Sequence, residues 1–204
     1  MAQSAPADPP LAPARSDRPP RSTPRMPWWQ GWLPLAVLPP AVVLLAPTGS
    51  PRWIVMWTLA FAIWCGCKWL TWRRTPVDGA PAWQDAAYLL LWPGLDPAAF
   101  LSPCPSAAVR KPDSREWLFG AAKLLTGLVL LYGVARLVPA EYPYLAGWVG
   151  IVGTIMVLHF GSFHLVSCFW RSRGVNARPL MHAPLISVSL GEFWGRRWNT
   201  AFAI

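Results

Sequence analysis

Apolar residues in this chain come in long runs, separated by shorter stretches that hold most of the charges. Four runs predict membrane-crossing helices, because about 20 apolar residues cross the hydrocarbon core of a bilayer. These runs cover residues 32–47, 52–71, 117–138 and 144–170. Prolines interrupt the first run, so we expect a short or kinked helix there. A fifth run, residues 83–92, is too short to cross and predicts a helix at the membrane interface.

The stretches outside these runs set the predicted domain organisation. Residues 1–27 are rich in Pro, Ala, Ser and Arg, and they predict a disordered tail because they hold too few large apolar side chains to offset the entropy of ordering. Residues 28–178 form the predicted membrane domain, and residues 179–204 form a segment with a motif of its own. The predicted fold class is all-α, a multi-pass membrane bundle of about four transmembrane helices with an interfacial helix and a disordered N-terminal tail.

Composition also indicates a membrane protein. The chain has 204 residues, of which 54% are hydrophobic and 13% charged, whereas a soluble domain has about 25% charged residues. Its 15 tryptophans exceed what a soluble core of this size needs, and tryptophan is typical of the interfacial belts of membrane proteins. The net charge of +9 would suit nucleic acid, but the basic residues stand mostly at the ends of apolar runs, so we predict no nucleic-acid partner.

The placement of the basic residues predicts an orientation. On one side of four alternating spans fall the arginines of the tail together with Arg73, Arg74, Arg110, Lys111, Arg115, Arg171, Arg173 and Arg178. On the other side fall Arg52 and Arg136. By the positive-inside rule, both the N-terminus and the C-terminus are expected in the cytoplasm.

The fourth run contains two histidines, His159 and His164, and ionisable groups at membrane depth are often functional. Their spacing turns about 140° around a helix, which disfavours a joint haem or metal site. Three interpretations stay open: each ring bonds a neighbouring helix, His164 lies near the membrane interface, or the rings line a substrate tunnel. Gly147, Gly150 and Gly153 predict a close-packing stripe. The four cysteines form no metal-binding pattern, so no metal is predicted.

The richest candidate chemistry lies in residues 190–199, which read Leu-Gly-Glu-Phe-Trp-Gly-Arg-Arg-Trp-Asn. Ser189 and Glu192 have the spacing of a capping box and predict a helix that begins near Leu190. Arginine side chains bind phosphate with two parallel hydrogen bonds, and indole rings offer stacking or apolar contact. The alternative is an amphipathic interfacial helix whose tryptophans and arginines only anchor it.

An α-helix in this region would give particular neighbours. Phe193 and Arg197 would lie one turn apart, as would Trp194 and Trp198. An aromatic and a cationic side chain would then stand on adjoining faces, as expected where a charged headgroup meets an apolar tail.

Two blocks of this sequence resemble the wax synthase branch of the membrane-bound O-acyltransferase family. One runs from Pro179-Leu-Met-His-Ala-Pro-Leu185 to Ser189-Leu-Gly-Glu-Phe-Trp-Gly-Arg-Arg-Trp-Asn199, and the other is Trp92-Pro-Gly-Leu-Asp96 followed by Phe100-Leu101. The resemblance covers roughly residues 83–199. Its most specific part, Phe-Trp-Gly-Arg-Arg-Trp-Asn, is similar to the Phe-Tyr-x-Asp-Trp-Trp-Asn motif of sterol and diacylglycerol acyltransferases, which is associated with acyl-coenzyme A.

The resemblance implies an acyl-CoA:alcohol O-acyltransferase. Such an enzyme moves a fatty acyl group from acyl-CoA, its co-substrate, to a hydroxyl acceptor such as a long-chain alcohol, and it needs no bound cofactor. Membrane lipids are the other implied partners. By position, the resemblance assigns substrate binding to Phe193, Trp194, Arg196, Arg197, Trp198 and Asn199.

The family's catalytic histidine lies some tens of residues beyond this motif, past residue 204, so we assign no catalytic residue. His182 precedes the motif and the other two histidines lie in the preceding span, so none inherits the role. We therefore expect an incomplete chain: a truncated product, a fragment, or half of a protein completed by a second chain. The alternative function is a non-catalytic membrane subunit of a larger complex, derived from the same family. A small transporter has little support, since no inverted repeat is visible.

Overall fold

The computed structural model of this chain describes residues 28–75, 77, 79–103 and 109–198. Within these ranges the regular structure is helical and no strand occurs, so the predicted all-α class is confirmed. The predicted tail, residues 1–27, lies outside the described residues, as do Cys104 and Asn199.

In the described part of the chain, six helices precede the motif segment, which is residues 179–204. In chain order they are α1 (Leu33–Leu45), α2 (Arg52–Arg74), α3 (Ala82–Leu91), α4 (Pro97–Leu101), α5 (Ser114–Leu137) and α6 (Pro143–Ser172). A 3-10 turn, Trp28–Gly31, leads into α1. Both α5 and α6 contain a π-helical stretch, at Val129–Val134 and Met156–Ser162.

Three of these helices are long and apolar enough to cross a membrane: α2 with 23 residues, α5 with 24 and α6 with 30. They identify a membrane protein. The remaining predicted crossing, α1, has 13 residues, which is about 20 Å of helix against a hydrocarbon core of about 30 Å. The expectation of a short first helix is thus confirmed, although Pro39 and Pro40 lie inside α1 without ending it.

The short helix α1 runs antiparallel along α2. A Cβ atom built on Gly66 would lie 2.7 Å from the Cα atom of Leu35, so only glycine allows this close approach. A Cβ atom on Gly31 would lie 3.3 Å from Cδ1 of Leu70. The start of α1 therefore lies beside the end of α2, and the two helices form a hairpin joined by residues 46–51.

Glycines also set the contact between α5 and α6. A Cβ atom on Gly127 would lie 2.6 Å from the backbone nitrogen of Val157, and one on Gly161 would lie 2.7 Å from the Cα atom of Leu124. Since the atoms that an added Cβ would meet belong to the backbone, a larger residue at either position would force the two helices apart. These two glycines let the antiparallel spans pack at close range.

The predicted glycine stripe on α6 is correct at one position out of three. Gly153 packs closely, since a Cβ atom there would lie 2.9 Å from the backbone nitrogen of Leu131. Gly147 and Gly150 have nothing within 4 Å of an added Cβ atom. The sequence spacing places all three on neighbouring parts of one helix, but the line of contact with α5 passes through Gly153 and Gly161 instead.

The hydrophobic core lies at one end of the bundle, where α3 and α4 pack against the ends of α2 and α6. Its buried members are Ala87, Tyr88, Trp92, Leu95, Phe100, Leu101, Trp170, Val175, Ala177 and Leu180. The arginines that end α2 and α6 lie at this same end. The predicted interfacial helix, residues 83–92, corresponds to α3 and contributes two of the core side chains.

Candidate functional site

The motif segment forms a capped turn at the position predicted for it. The hydroxyl of Ser189 accepts a hydrogen bond from the backbone N–H of Glu192 at 3.0 Å. The Glu192 carboxylate in turn accepts one from the backbone N–H of Val188 at 2.9 Å. A short α-helix, Leu190–Glu192, follows the cap. The predicted helix start is therefore confirmed, and its cause is local hydrogen bonding.

Beyond Glu192 the chain does not continue as an α-helix. Phe193–Arg197 is a π-helical turn, and the backbone N–H of Trp198 donates to the carbonyl of Phe193 at 2.7 Å. The wider turn stacks the rings of Phe193 and Trp198, with centroids 5.2 Å apart and planes 20° apart. Because the turn is wider than an α-helical one, Phe193 also meets the residue five positions later, Trp198.

The third aromatic ring of the motif completes a cluster. Trp194 packs edge-on against Phe193 with centroids 4.8 Å apart, and its centroid lies 5.9 Å from that of Trp198. The predicted proximity of the two tryptophans is confirmed. Trp194 is 62% exposed, so this cluster presents one broad indole face to its surroundings.

The two arginines of the motif have different environments. The Nε atom of Arg197 donates to the Glu192 carboxylate at 2.6 Å, and its carbonyl accepts a hydrogen bond from the backbone N–H of His182 at 2.9 Å. Arg196 is exposed. Both were predicted as substrate ligands, but the structure engages the guanidinium of Arg197 within the segment and presents that of Arg196 outward.

Arg196 lines a shallow hollow of about 440 Å³. The other lining residues are Val188, Ser189, Gly191 and Glu192. The backbone N–H of Val188 and the guanidinium of Arg197 hold the pKa of the Glu192 carboxyl below its usual range. Glu192 is therefore ionised at neutral pH and keeps its bonds to the two partners. The hollow thus has a fixed anionic edge and an outward-facing cation.

The motif segment is docked on α6. The indole of Trp198 stacks on the ring of His159, with centroids 5.5 Å apart, and packs edge-on against Phe160 at 5.9 Å. The Nδ1 atom of His159 is buried and has no hydrogen-bond partner among the described residues. Sequence reasoning treated the histidine and the motif separately. The aromatic stripe formed by Phe160 and Phe163 beside His159 was the available signal for a docking surface.

The other histidine of α6 bonds a neighbouring helix instead. The Nδ1 atom of His164 lies 3.3 Å from the Nζ atom of Lys123 on α5, and its Nε2 atom lies 3.5 Å from a carboxylate oxygen of Glu116. The interpretation of a histidine that bonds a neighbouring helix is confirmed for His164. The two histidines have separate partners, as their spacing predicted.

Glu116 and Arg171 form a two-bond ion pair between α5 and α6. Both guanidinium NH groups of Arg171 donate to the Glu116 carboxylate, one of them at 3.3 Å. The Nε atom of Arg171 donates to the hydroxyl of Ser167, which donates to the carbonyl of Ala177 at 2.7 Å. Sequence reasoning used Arg171 only as a topology signal. Here it is a buried residue that connects both spans to the chain leading into the motif segment.

Glu116, His164 and Cys168 place potential metal ligands within 4.8 Å of one another. Two cations already occupy this cluster. The guanidinium of Arg171 takes the Glu116 oxygens and lies 3.5 Å from the Cys168 sulfur, while Lys123 contacts the histidine. Because these charges repel a divalent cation, the cluster is better described as an ion-pair network than as a metal site.

The second block of the resemblance, residues 92–96, is held by a buried lysine of α2. Lys68 is 2% exposed; its Nζ atom donates to the carbonyl of Gly94 and lies 3.4 Å from the ring centroid of Tyr88. Burial raises the pKa of Tyr88 to about 12, so this phenol stays protonated and shares a 3.0 Å hydrogen bond with Thr71.

Two indoles reinforce this anchor. The Nε1 atom of Trp64 donates to the carbonyl of Pro93 at 3.3 Å, and that of Trp170 donates to the carbonyl of Leu91 at 3.4 Å. The block therefore links α2 to α6 at the core, whose buried members also include Leu180 of the motif segment. It positions the bundle ends and contributes no side chain to the hollow beside Arg196.

Comparison of the chain with family models, with curated proteins and with solved structures found no match. The resemblance to the wax synthase branch therefore stays a prediction. It rests on the two sequence blocks alone.

Proposed function

We propose that this protein is a membrane O-acyltransferase of the wax synthase type, which moves a fatty acyl group from acyl-CoA to a hydroxyl acceptor. The observation that carries the proposal is the motif segment itself, where the exposed Arg196 stands within a few residues of the Phe193, Trp194 and Trp198 cluster. A phosphate-binding cation beside an apolar aromatic wall matches a ligand with an anionic headgroup and an acyl tail.

The described residues have different proposed roles. Arg196 pairs with phosphate groups of coenzyme A, and Trp194 offers an exposed face for stacking or apolar contact. Arg197 acts as a positioning residue, because its bond to Glu192 holds the turn that presents its neighbour. Asn199 keeps the role that the resemblance implies. We assign binding of the acyl donor, and no catalytic step, to the described residues.

Acyl-CoA binding by the purified chain in lipid nanodiscs tests this proposal. We expect Arg196→Ala to weaken binding of a long-chain acyl-CoA by about tenfold or more, since hydrogen bonds to charged groups contribute roughly 1.5–3 kcal/mol. Arg115→Ala is the matched control, because Arg115 is also exposed and lies outside the motif. Equal affinities of the two variants, or no binding by the unsubstituted chain, would contradict the proposal.

A second candidate function is that of a non-catalytic membrane subunit of a larger complex. The open face of α6 at Gly147 and Gly150 favours it, because small residues allow another helix to approach closely. Mass spectrometry of the complex purified from its native membrane distinguishes the two candidates. A stable assembly with other membrane chains, combined with no affinity for acyl-CoA, would favour the subunit.

We also propose that both termini face the cytoplasm and that α1 crosses the bilayer with α2. The basic ends of α2 and α6 lie at the same end of the bundle, as the positive-inside rule requires of a cytoplasmic face. Arg74 lies over the ring of Trp32, with its guanidinium carbon 4.8 Å from the ring centroid, so the chain entering α1 starts at that face. The 3-10 turn and α1 together then follow α2 to the opposite face.

A further inference from the structure

Five large apolar side chains project outward from the motif segment. These residues, which we name the apolar rim, are Leu185, Ile186, Val188, Leu190 and Trp194, and they are 87%, 66%, 92%, 78% and 62% exposed. Scattered apolar residues are common on protein surfaces, but a contiguous exposed group marks an interaction surface. We therefore infer that another molecule or the lipid phase contacts the rim.

The backbone that carries the rim is tied down. Ala183 adopts a left-handed conformation with φ of 46°, which turns the chain into a 3-10 turn at Pro184–Ile186. The Ser187 hydroxyl donates to the carbonyl of Pro184 at 2.7 Å. At the neck of the loop, the backbone N–H of His182 donates to the carbonyl of Arg197 at 2.9 Å. Local bonds thus close the loop and leave its apolar side chains outside.

The docking of Trp198 sets the depth of this loop. Its partner His159 precedes the end of α6 at Ser172 by 13 residues, which is about 20 Å along the helix axis. The whole of α6 is about 45 Å long and the hydrocarbon core about 30 Å thick. Even if the excess of about 15 Å protruded entirely at this end, His159 would lie inside the hydrocarbon. A tilt of α6 shortens its full length and the distance from His159 to Ser172 by the same factor, both measured along the membrane normal. His159 therefore stays inside the hydrocarbon in a tilted helix as well.

We propose that the apolar rim inserts into the acyl-chain region of the lipid leaflet at the arginine-rich end of α6. The neck beside Trp198 lies at membrane depth, so lipid borders the apolar rim, and this placement requires the long side chain of the exposed Arg196 to extend to the headgroup level, where it can meet the phosphates of acyl-CoA. Arg173 and Arg178 are exposed on the chain between α6 and the loop, and in this placement their charges are available to the anionic phosphates of the headgroups. A phospholipid leaflet accommodates this arrangement, since its acyl chains surround apolar side chains and its headgroups bind the cations.

Site-specific photo-crosslinking tests the insertion without any acyl-CoA, so its result is independent of the proposed enzyme function. A diazirine analogue of leucine is placed singly at Leu185, Val188 or Leu190, and the protein is irradiated in nanodiscs of phosphatidylcholine and phosphatidylglycerol. Leu137, which is 82% exposed on α5, is the lipid-facing control, and Lys111, exposed in the loop before α5, is the aqueous control.

We expect a mass increase of one phospholipid at all three rim positions, with a yield comparable to that at Leu137. A yield no higher than at Lys111 would show that water surrounds the rim and would overturn the proposal. Adducts between two protein chains would overturn it as well, because the rim would then be a protein interface. Three separate positions ensure that a folding defect in one variant leaves the test decisive.

Discussion

At the residue scale, a single carboxylate, that of Glu192, gives the adjacent arginines Arg196 and Arg197 different environments. Glu192 accepts the Arg197 guanidinium at 2.6 Å, and this bond leaves Arg196 to face outward. Lys68 shows a related effect, because its buried amino group has a backbone carbonyl and an aromatic face as partners. The role of each basic side chain therefore follows from the acceptor within its reach.

The bonds of Glu192 predict a pH dependence for the closure of the motif segment. The pKa of the Glu192 carboxyl is lower in the folded segment than in the unfolded one. The ionised carboxylate therefore stabilises the closed turn fully above the unfolded pKa, and this stabilisation is lost as pH falls through the folded pKa. We expect the amide NMR signal of Val188, measured in nanodiscs, to titrate with a midpoint below the usual 4.5 of a glutamate. Glu192→Gln should abolish this titration and Glu141→Gln should leave it unchanged. A midpoint of 4.5 or higher in the unsubstituted chain contradicts the assignment.

At the element scale, the spans α5 and α6 are joined by close glycine contacts along their length and by the ion pair at their basic end. The glycines remove side chains where two backbones meet, and dispersion contacts between helices replace the missing hydrophobic driving force in lipid. The Glu116–Arg171 pair adds a directional contact where the chain leaves the membrane. The glycine contacts and the ion pair each lead to a separate prediction.

The first concerns glycine packing. Gly127→Ala should destabilise the protein by about 1–3 kcal/mol, because the new methyl group meets the backbone of α6. Gly150→Ala is the matched control on α6, where an added Cβ atom meets nothing, and it should be neutral or slightly stabilising. Thermal unfolding in detergent compares the two. Equal midpoints for both variants would show that the helices separate easily at Gly127.

The second concerns the ion pair. Arg171→Leu should cost about 3–5 kcal/mol, because it leaves the Glu116 carboxylate without its main partner in a partly buried place. Combining it with Glu116→Gln should restore part of that loss, since no unpaired charge then remains. Equilibrium unfolding of both single variants and the double variant forms a complete cycle. If the effects simply add, the pair does not couple the two helices.

At the scale of the whole molecule, the arrangement has a lipid-exposed belt and one packed end. The large apolar side chains of the spans are mostly exposed or half-buried, while the core lies where α3 and α4 meet α2 and α6. The bilayer therefore takes the place of a central core along the spans, and protein–protein packing is concentrated at the arginine-rich face.

Topology mapping tests this arrangement. Reporter tags in residues 1–27, near Arg110 and after Ile204 should all lie in the cytoplasm, because the basic helix ends are expected there. The tag in the tail is the decisive one, since its side depends on whether the short helix α1 crosses with α2. If it lies on the opposite side from the tag near Arg110, then α1 does not cross and the proposed hairpin insertion is wrong.

The positions of the helices follow from local features of the sequence. The predicted spans 52–71, 117–138 and 144–170 agree with α2, α5 and α6 to within three residues at every end, because apolar length and proline positions are local properties that one segment reveals alone. The capped turn at Ser189 was predictable for the same reason, since both hydrogen-bonding partners lie within three residues.

Only the tertiary structure decided which of these segments meet. Trp198 stacks on His159, and Arg171 pairs with Glu116 from 55 positions away, and neither partner is marked by local periodicity. The π-helical turn that brings Phe193 against Trp198 occurs where the motif segment docks on α6. Contacts of this kind depend on where two helix surfaces cross, and that is settled by the packing of complete elements against one another rather than by the residues of either one.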